Sequence, residues 1–166
     1  MNDRLVRVAT IAFLAGALGF AAFPVAAQGK GYGGLSVGQY TENDITGEST
    51  TGFRFFGGYH VNKNIAFEAG YITAAFEGTT ATGLTLAAVG VAPVNEQFSV
   101  FGTVGLFSWS LSNLDLSGTD PFVGVGALFN VAKDVAVRVE FDSYTLSSDF
   151  ADTSATALTV GVQFRF

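Results

Sequence analysis

The sequence predicts an all-β protein: an eight-stranded antiparallel transmembrane up-and-down β-barrel, preceded by a cleavable signal peptide. Three observations carry this expectation. The 166 residues are 49% hydrophobic but only 13% charged, against about 25% charged in ordinary soluble domains, so much of the folded surface is not built to face water. The dominant periodicity after residue 27 is two rather than 3.6, the signature of strands whose successive side chains point to opposite faces. The connections between these alternating segments are, in turn, long and short, the pattern of a barrel with short turns on one side of a membrane and longer loops on the other.

Residues 1–27 read as a targeting segment. Arg4 and Arg7 form a basic start, Val8 to Phe23 is almost wholly apolar, and Val25-Ala26-Ala27 offers the small residues a signal peptidase reads. Cleavage before Gln28 is expected. It removes Asp3, Arg4 and Arg7 and leaves six basic and 13 acidic side chains, a net charge of −7. Such an acidic chain has no electrostatic footprint for nucleic acid. The absence of Cys excludes disulfides and thiolate metal sites, and no cofactor is expected.

The mature part, 28–166, is expected to form one β-barrel domain with strands near 31–40, 52–61, 65–74, 82–92, 98–109, 121–131, 134–145 and 156–166, each close to the 9–11 residues a membrane strand requires. Both faces of the first, fourth and fifth are apolar or small, and their facing stays open. In the second, Phe53, Phe55, Tyr59 and Val61 oppose Arg54 and His60; in the third, Ile65, Phe67, Ala69 and Tyr71 oppose Glu68. The sixth aligns Val123, Val125, Ala127, Phe129 and Val131. The seventh sets Val135, Val137, Val139 and Phe141 against Arg138, Glu140 and Asp142. The eighth sets Leu158, Val160, Val162, Phe164 and Phe166 against Thr159, Gly161, Gln163 and Arg165. In a soluble barrel the apolar faces would form the core. The sparse charge, the export signal and the glycines within strands favour the inverse arrangement, with apolar faces on lipid and the charges lining a narrow interior. Thr41–Thr51, Ala75–Ala81, Ser110–Asp120 and Leu146–Ala155 are read as the longer loops, and Val61–Asn64, Pro93–Gln97 and Ala132–Lys133 as tight turns. Both chain ends then lie on the turn side, and no room is left for a further globular domain.

Two stretches resemble a known family. Gly57-Gly58-Tyr59-His60-Val61-Asn62, followed by Ala66-Phe67-Glu68-Ala69-Gly70-Tyr71, is similar to strands 2 and 3 of the OmpA-type transmembrane domain. Val137-Arg138-Val139-Glu140-Phe141 is similar to its strand 7. The wider set is the small outer-membrane β-barrel superfamily, with OmpX-like and opacity-type porin family proteins. The resemblance implies the cell outer membrane of a Gram-negative envelope, and contact with outer-membrane lipid and lipopolysaccharide. It also implies a C-terminal assembly signal (Val160, Val162, Phe164, Phe166) read by the barrel-assembly machinery. It further implies that interior Glu68 and Arg138 belong to an ion-pair plug able to act as a gate. The family's acidic partner on strand 6 is replaced here by Leu128.

Arg54, Glu68, Arg138 and Glu140 are therefore the candidate interior ion pairs. Charges in so narrow a space must pair or meet trapped water, and the plain alternative to a gate is a structural core of ion pairs. His60 is the only imidazole base. It stands beside a tight turn with no His-x-Ser-Asn run, so no catalytic residue is assigned and no enzyme is expected. Glu42, Asp44, Glu48, Asp115, Asp120, Asp149 and Asp152 fall in or beside the longer loops as solvated charge. Their spacing matches no calcium loop. Trp109 and Tyr40 are expected in an aromatic girdle at the loop side. The expectation is a monomeric, structural barrel presenting four loops for envelope integrity or surface interaction. Alternatives are a narrow ion or water pore, an adhesin or serum-resistance factor acting through the loops, and, last, a lipid-modifying enzyme.

Overall fold

The computed structural model describes residues 30–43, 47–76, 79–111, 116–147 and 152–166. The expected signal segment, 1–27, lies outside the described residues. Eight strands follow one another: β1 (Gly31–Glu42), β2 (Ser49–His60), β3 (Ile65–Phe76), β4 (Thr79–Pro93), β5 (Phe98–Leu111), β6 (Leu116–Ala132), β7 (Val135–Ser147) and β8 (Asp152–Arg165). Each pairs antiparallel with the next, and β8 pairs with β1, so the sheet closes on itself without an edge. Closure matters physically, since an open row of backbone N–H and C=O groups cannot be satisfied by lipid.

The register fixes the barrel's shape. Cα partners run from Gly31 to Tyr59, Phe67, Ala88, Val104, Val123, Ser143 and Thr156 and return to β1 at Thr41. One circuit thus climbs ten residues, from 31 to 41. With strands 4.8 Å apart and about 3.3 Å per residue, that shear tilts the strands by about 40°. An eight-stranded barrel of this tilt has room inside only for side chains.

The turn end is built from short Asn-directed bends. Asn62 Oδ1 accepts the backbone N–H of Asn64 (2.8 Å) and Ile65 (2.9 Å). Asn95 Oδ1 likewise accepts from Gln97 (2.9 Å) and Phe98 (2.8 Å). Such Asx turns reverse the chain without β-turn glycines. At the same end Gly31 and Phe166 exchange backbone hydrogen bonds of 3.1 and 2.9 Å, sealing β1 to the last residue of the chain.

At the opposite end the strands run further than the sequence suggests. The connections shrink to 43–48, 77–78, 112–115 and 148–151, and β6 begins at Leu116 rather than near residue 121. The Ser- and Thr-rich segments read as loops continue the ladder. Their outward hydroxyls pair between neighbouring strands: Thr41 with Ser49 (2.8 Å), Thr82 with Ser110 (3.2 Å) and Thr119 with Ser108 (3.1 Å).

The outward faces therefore divide sharply. Leu84, Leu86, Val104, Val123, Val125 and Leu158 are all more than half exposed, part of a belt of bare apolar side chains. Directly beyond this belt, toward the loop end, every strand turns outward a hydroxyl or an amide, beginning with Gln39, Thr51, Thr73, Thr82, Ser108, Thr119, Ser143 and Thr156. β1, β4 and β5, left open from the sequence, place Leu35 and Val37, Leu84 and Leu86, and Val104 and Leu106 outward, with Ser36, Thr85 and Thr103 inward.

Candidate functional site in the barrel interior

Inward positions of β2, β3 and β7 meet at mid-height. Arg54 (β2), Glu68 (β3), and Arg138, Glu140 and Asp142 (β7) are all buried, none more than 3% exposed. The alternation of β7 puts its three charged residues on one face at i, i+2 and i+4, and the closed sheet brings β2 and β3 opposite them.

The side chains form one connected network. Arg138 binds Glu68 through two hydrogen bonds, Nη1 to Oε2 at 2.6 Å and Nη2 to Oε1 at 3.2 Å. It reaches Glu140 through Nε at 3.0 Å and Nη2 at 2.9 Å to Oε2. Arg54 Nη2 reaches Glu68 Oε1 at 2.9 Å, and its Nη1 lies 3.1 Å from both Glu140 Oε2 and Asp142 Oδ2. Neutral donors add to the shell, while Arg54 Nε and Asp142 Oδ1 stay buried without a hydrogen-bond partner among the described residues. Tyr32 OH donates to Glu68 (2.9 Å), Thr103 Oγ1 to Glu140 (3.3 Å) and Tyr144 OH to Asp142 (3.2 Å). The Arg138 guanidinium is also held between the rings of Phe56 and Phe101, 4.5 Å from each centroid, a cation–π arrangement that strengthens when desolvated.

Apolar layers close the interior on either side of these charges. Toward the turn end lie Tyr32, Phe56, Ala66, Val89 and Phe101, with Leu128 packed against them. Toward the loop end lie Tyr40, Ile72, Phe122, Tyr144 and Phe107, with Phe122 and Tyr144 stacked at 5.2 Å. Glycines make the room. A Cβ on Gly58 would meet the Tyr32 ring, and one on Gly126 would meet the Phe101 ring and the Val139 carbonyl.

Four placements differ from the sequence reading. Trp109 and Tyr40 are not girdle residues, because both point inward and are buried (8% and 7% exposed). Asp120 is not solvated loop charge: it is buried in β6 and accepts the Trp109 indole N–H at 2.8 Å. Leu128 does not leave the network one acid short. Asp142 supplies the further carboxylate from β7, so two guanidinium groups face three carboxylates. Asp142 and Tyr32 were not among the sequence candidates. The signal for Asp142 was its parity with Arg138 and Glu140; Tyr32 carried none, since the segment 31–40 read as the first strand has no charged residue to mark its inner face.

His60 lies at the turn end of β2 with its ring 5.1 Å from that of Tyr32. Among the described residues it hydrogen bonds to no serine hydroxyl or carboxylate. No group of His, Cys, Asp and Glu side chains among them could hold a metal ion. Val160, Phe164 and Phe166 project outward at 40–50% exposure, and Val162 is half-buried on the same face.

The sequence matches the outer membrane protein beta-barrel domain over residues 10–166. None of the curated proteins matches it. Among solved structures, the Neisserial surface protein A superposes with a TM-score of 0.67 at 12% identity, covering 82% of this chain and 97% of that one. The N-terminal β-barrel domain of Pseudomonas aeruginosa OprF gives 0.62 at 14% identity, covering 84% and 100%. Ail, the attachment invasion locus protein of Yersinia pestis, gives 0.59 at 17%, covering 84% and 100%. Ail has also been solved in complex with the heparin analogue sucrose octasulfate. At these identities the likeness is one of fold.

Proposed function

Since this chain belongs to the family of outer membrane β-barrel domains and resides in the outer membrane, we propose that it serves as a closed structural barrel. In this reading it spans the membrane, contributes to envelope integrity and offers short acidic loops to the exterior, without conduction or catalysis. The observation that supports this most is the filled interior. A five-residue ion network is wedged between an apolar layer and an aromatic layer, with Phe122, Glu68, Arg54, Glu140 and Asp142 all below 3% exposure. A buried network of this kind holds a conformation in place, because any single charge left behind by opening would be unpaired in a low dielectric.

Planar-bilayer recording of the refolded 28–166 barrel tests the proposal. We expect no unitary current at moderate voltage. Reproducible single-channel steps would reverse the reading in favour of a pore gated by the Arg138–Glu68 pair.

An adhesin role is the second reading, and the loop chemistry narrows it. The connections 43–48, 77–78, 112–115 and 148–151, with the adjoining strand ends Glu42 and Asp152, contain seven acids and no Lys or Arg. Ail takes a polysulfated ligand; loops of this composition repel one. A surface partner of this chain would be neutral or basic. The expected biogenesis belongs to the same proposal: residues 1–27 removed on export, and Val160, Val162, Phe164 and Phe166 read by the assembly machinery before the monomeric barrel meets lipopolysaccharide.

A further inference from the structure

We infer that the turn end of the barrel docks the anionic headgroups of phospholipids, through a half-ring of cationic side chains. The inference rests on the membrane-spanning reading above.

After residue 27 the chain has six Lys and Arg residues. Arg54 and Arg138 are buried in the interior network. The other four, Lys30, Lys63, Lys133 and Arg165, all lie at the turn end: Lys30 leads into β1, Lys63 and Lys133 sit in the β2–β3 and β6–β7 turns, and Arg165 ends β8. Round the closed barrel these positions span half the circumference, from the β6–β7 turn past β8 and β1 to the β2–β3 turn. The remaining turn, between β4 and β5, carries Glu96 and no cation.

The three lysines are exposed, and none forms an ion pair among the described residues. Arg165 is held differently. Its guanidinium donates to Asn130 Oδ1 at 3.0 Å and to the Lys133 carbonyl at 2.7 Å, which fixes a positive charge at the barrel mouth beside Lys133. Directly above the lysines the outward face is apolar, with Tyr59, Val61, Ile65 and Val131 exposed. A lysine there lays its alkyl stem along that surface and carries its ammonium to the headgroup level. Asp134 and Glu96 are the acidic side chains at this end, so four cationic side chains outnumber two acidic ones. Clustered basic residues at this depth attract a negatively charged leaflet. At the loop end the sign is inverted, with acids alone, so phosphate-bearing lipid on that side meets no cationic side chain. The partner is therefore an acidic glycerophospholipid in the leaflet at the turn side.

The test uses the folded barrel in nonionic detergent, offered an equimolar mixture of phosphatidylglycerol and phosphatidylcholine, with retained lipid quantified by native mass spectrometry. We expect phosphatidylglycerol to be retained over phosphatidylcholine by about threefold or more, and the preference to collapse in about 0.5 M NaCl. The combined Lys30→Gln, Lys63→Gln and Lys133→Gln variant should lose the preference while keeping its heat-dependent gel mobility. Purified lipid A without divalent cations should bind more weakly than phosphatidylglycerol. Equal retention of the two phospholipids by the wild type, or a preference that survives both salt and the triple substitution, would overturn the inference. Failure of the membrane reading itself looks different: no heat-dependent band, and no lipid of any class retained.

Discussion

Arg138 is the residue on which the interior depends most. It binds two carboxylates and lies between two aromatic rings. Arg138→Met leaves Glu68 and Glu140 sharing Arg54 as their one cation, and removing one partner from a buried ion network costs about 3–5 kcal/mol. Denaturant unfolding of the barrel in lipid vesicles should show that loss, and an unchanged midpoint would mean the network is wetter than its geometry implies. Asp142→Asn should behave differently. Two guanidinium groups face three carboxylates, so neutralising Asp142 leaves each arginine still paired, with Glu68 and Glu140. Its cost is expected to be about 1 kcal/mol or less, the net worth of one hydrogen bond. The same assay decides, and a loss as large as that of Arg138→Met would show that the third charge is structurally required. Trp109→Phe removes the indole N–H that buried Asp120 accepts and should cost about 1–3 kcal/mol, the penalty for an unsatisfied buried acceptor.

Along each strand, the outward face changes character at a defined level. On β6, Val125 is 62% exposed within the apolar belt, and Thr119, on the same face, lies in the hydroxyl collar. Arginine at a lipid-facing midplane site costs about 2–4 kcal/mol, falling to about 0–1 near the interface. Val125→Arg should therefore lower folding stability in vesicles substantially, with Thr119→Arg nearly silent. Similar effects at the two sites would mean that the belt has been placed at the wrong height. The strands also show where alternation stops being readable. β2, β3, β6, β7 and β8 carry either a charge or an unbroken aliphatic set, so one face declares itself. In β5 the inner face reads Phe101, Thr103, Gly105, Phe107, Trp109 and the outer face Val100, Gly102, Val104, Leu106, Ser108. A narrow barrel fills its inside by setting large rings beside glycines, so an aromatic residue does not mark lipid. That is why Trp109 and Tyr40 were misplaced from the sequence alone.

The whole molecule is a closed cylinder whose two ends differ in sign, acidic at the loops and basic at the turns. Because closure satisfies every strand edge, the barrel should resist dodecyl sulfate until heated. Unboiled and boiled samples of an outer-membrane fraction should migrate differently, and identical mobilities would contradict a closed membrane barrel. The interior ties strands together around the barrel at mid-height, since the ion network joins β2, β3 and β7 directly and reaches β1 and β5 through Tyr32 and Thr103.

The sequence by itself determined the strand number, the order of pairing and the lipid-facing side of five strands. Those properties follow from local periodicity and from the scarcity of charge, which any chain segment displays without reference to its neighbours. It also singled out Arg54, Glu68, Arg138 and Glu140, since a charge opposite an apolar lipid face has only the interior to occupy. Only the tertiary structure decided which of these side chains meet. It decided that Asp142, Tyr32 and Asp120 are interior groups, and that Ser- and Thr-rich segments continue the ladder instead of looping. The reason is the shear. Partners 70 or 86 residues apart are brought together by a ten-residue climb around a closed sheet, a quantity that belongs to the circuit of eight strands and to no strand alone.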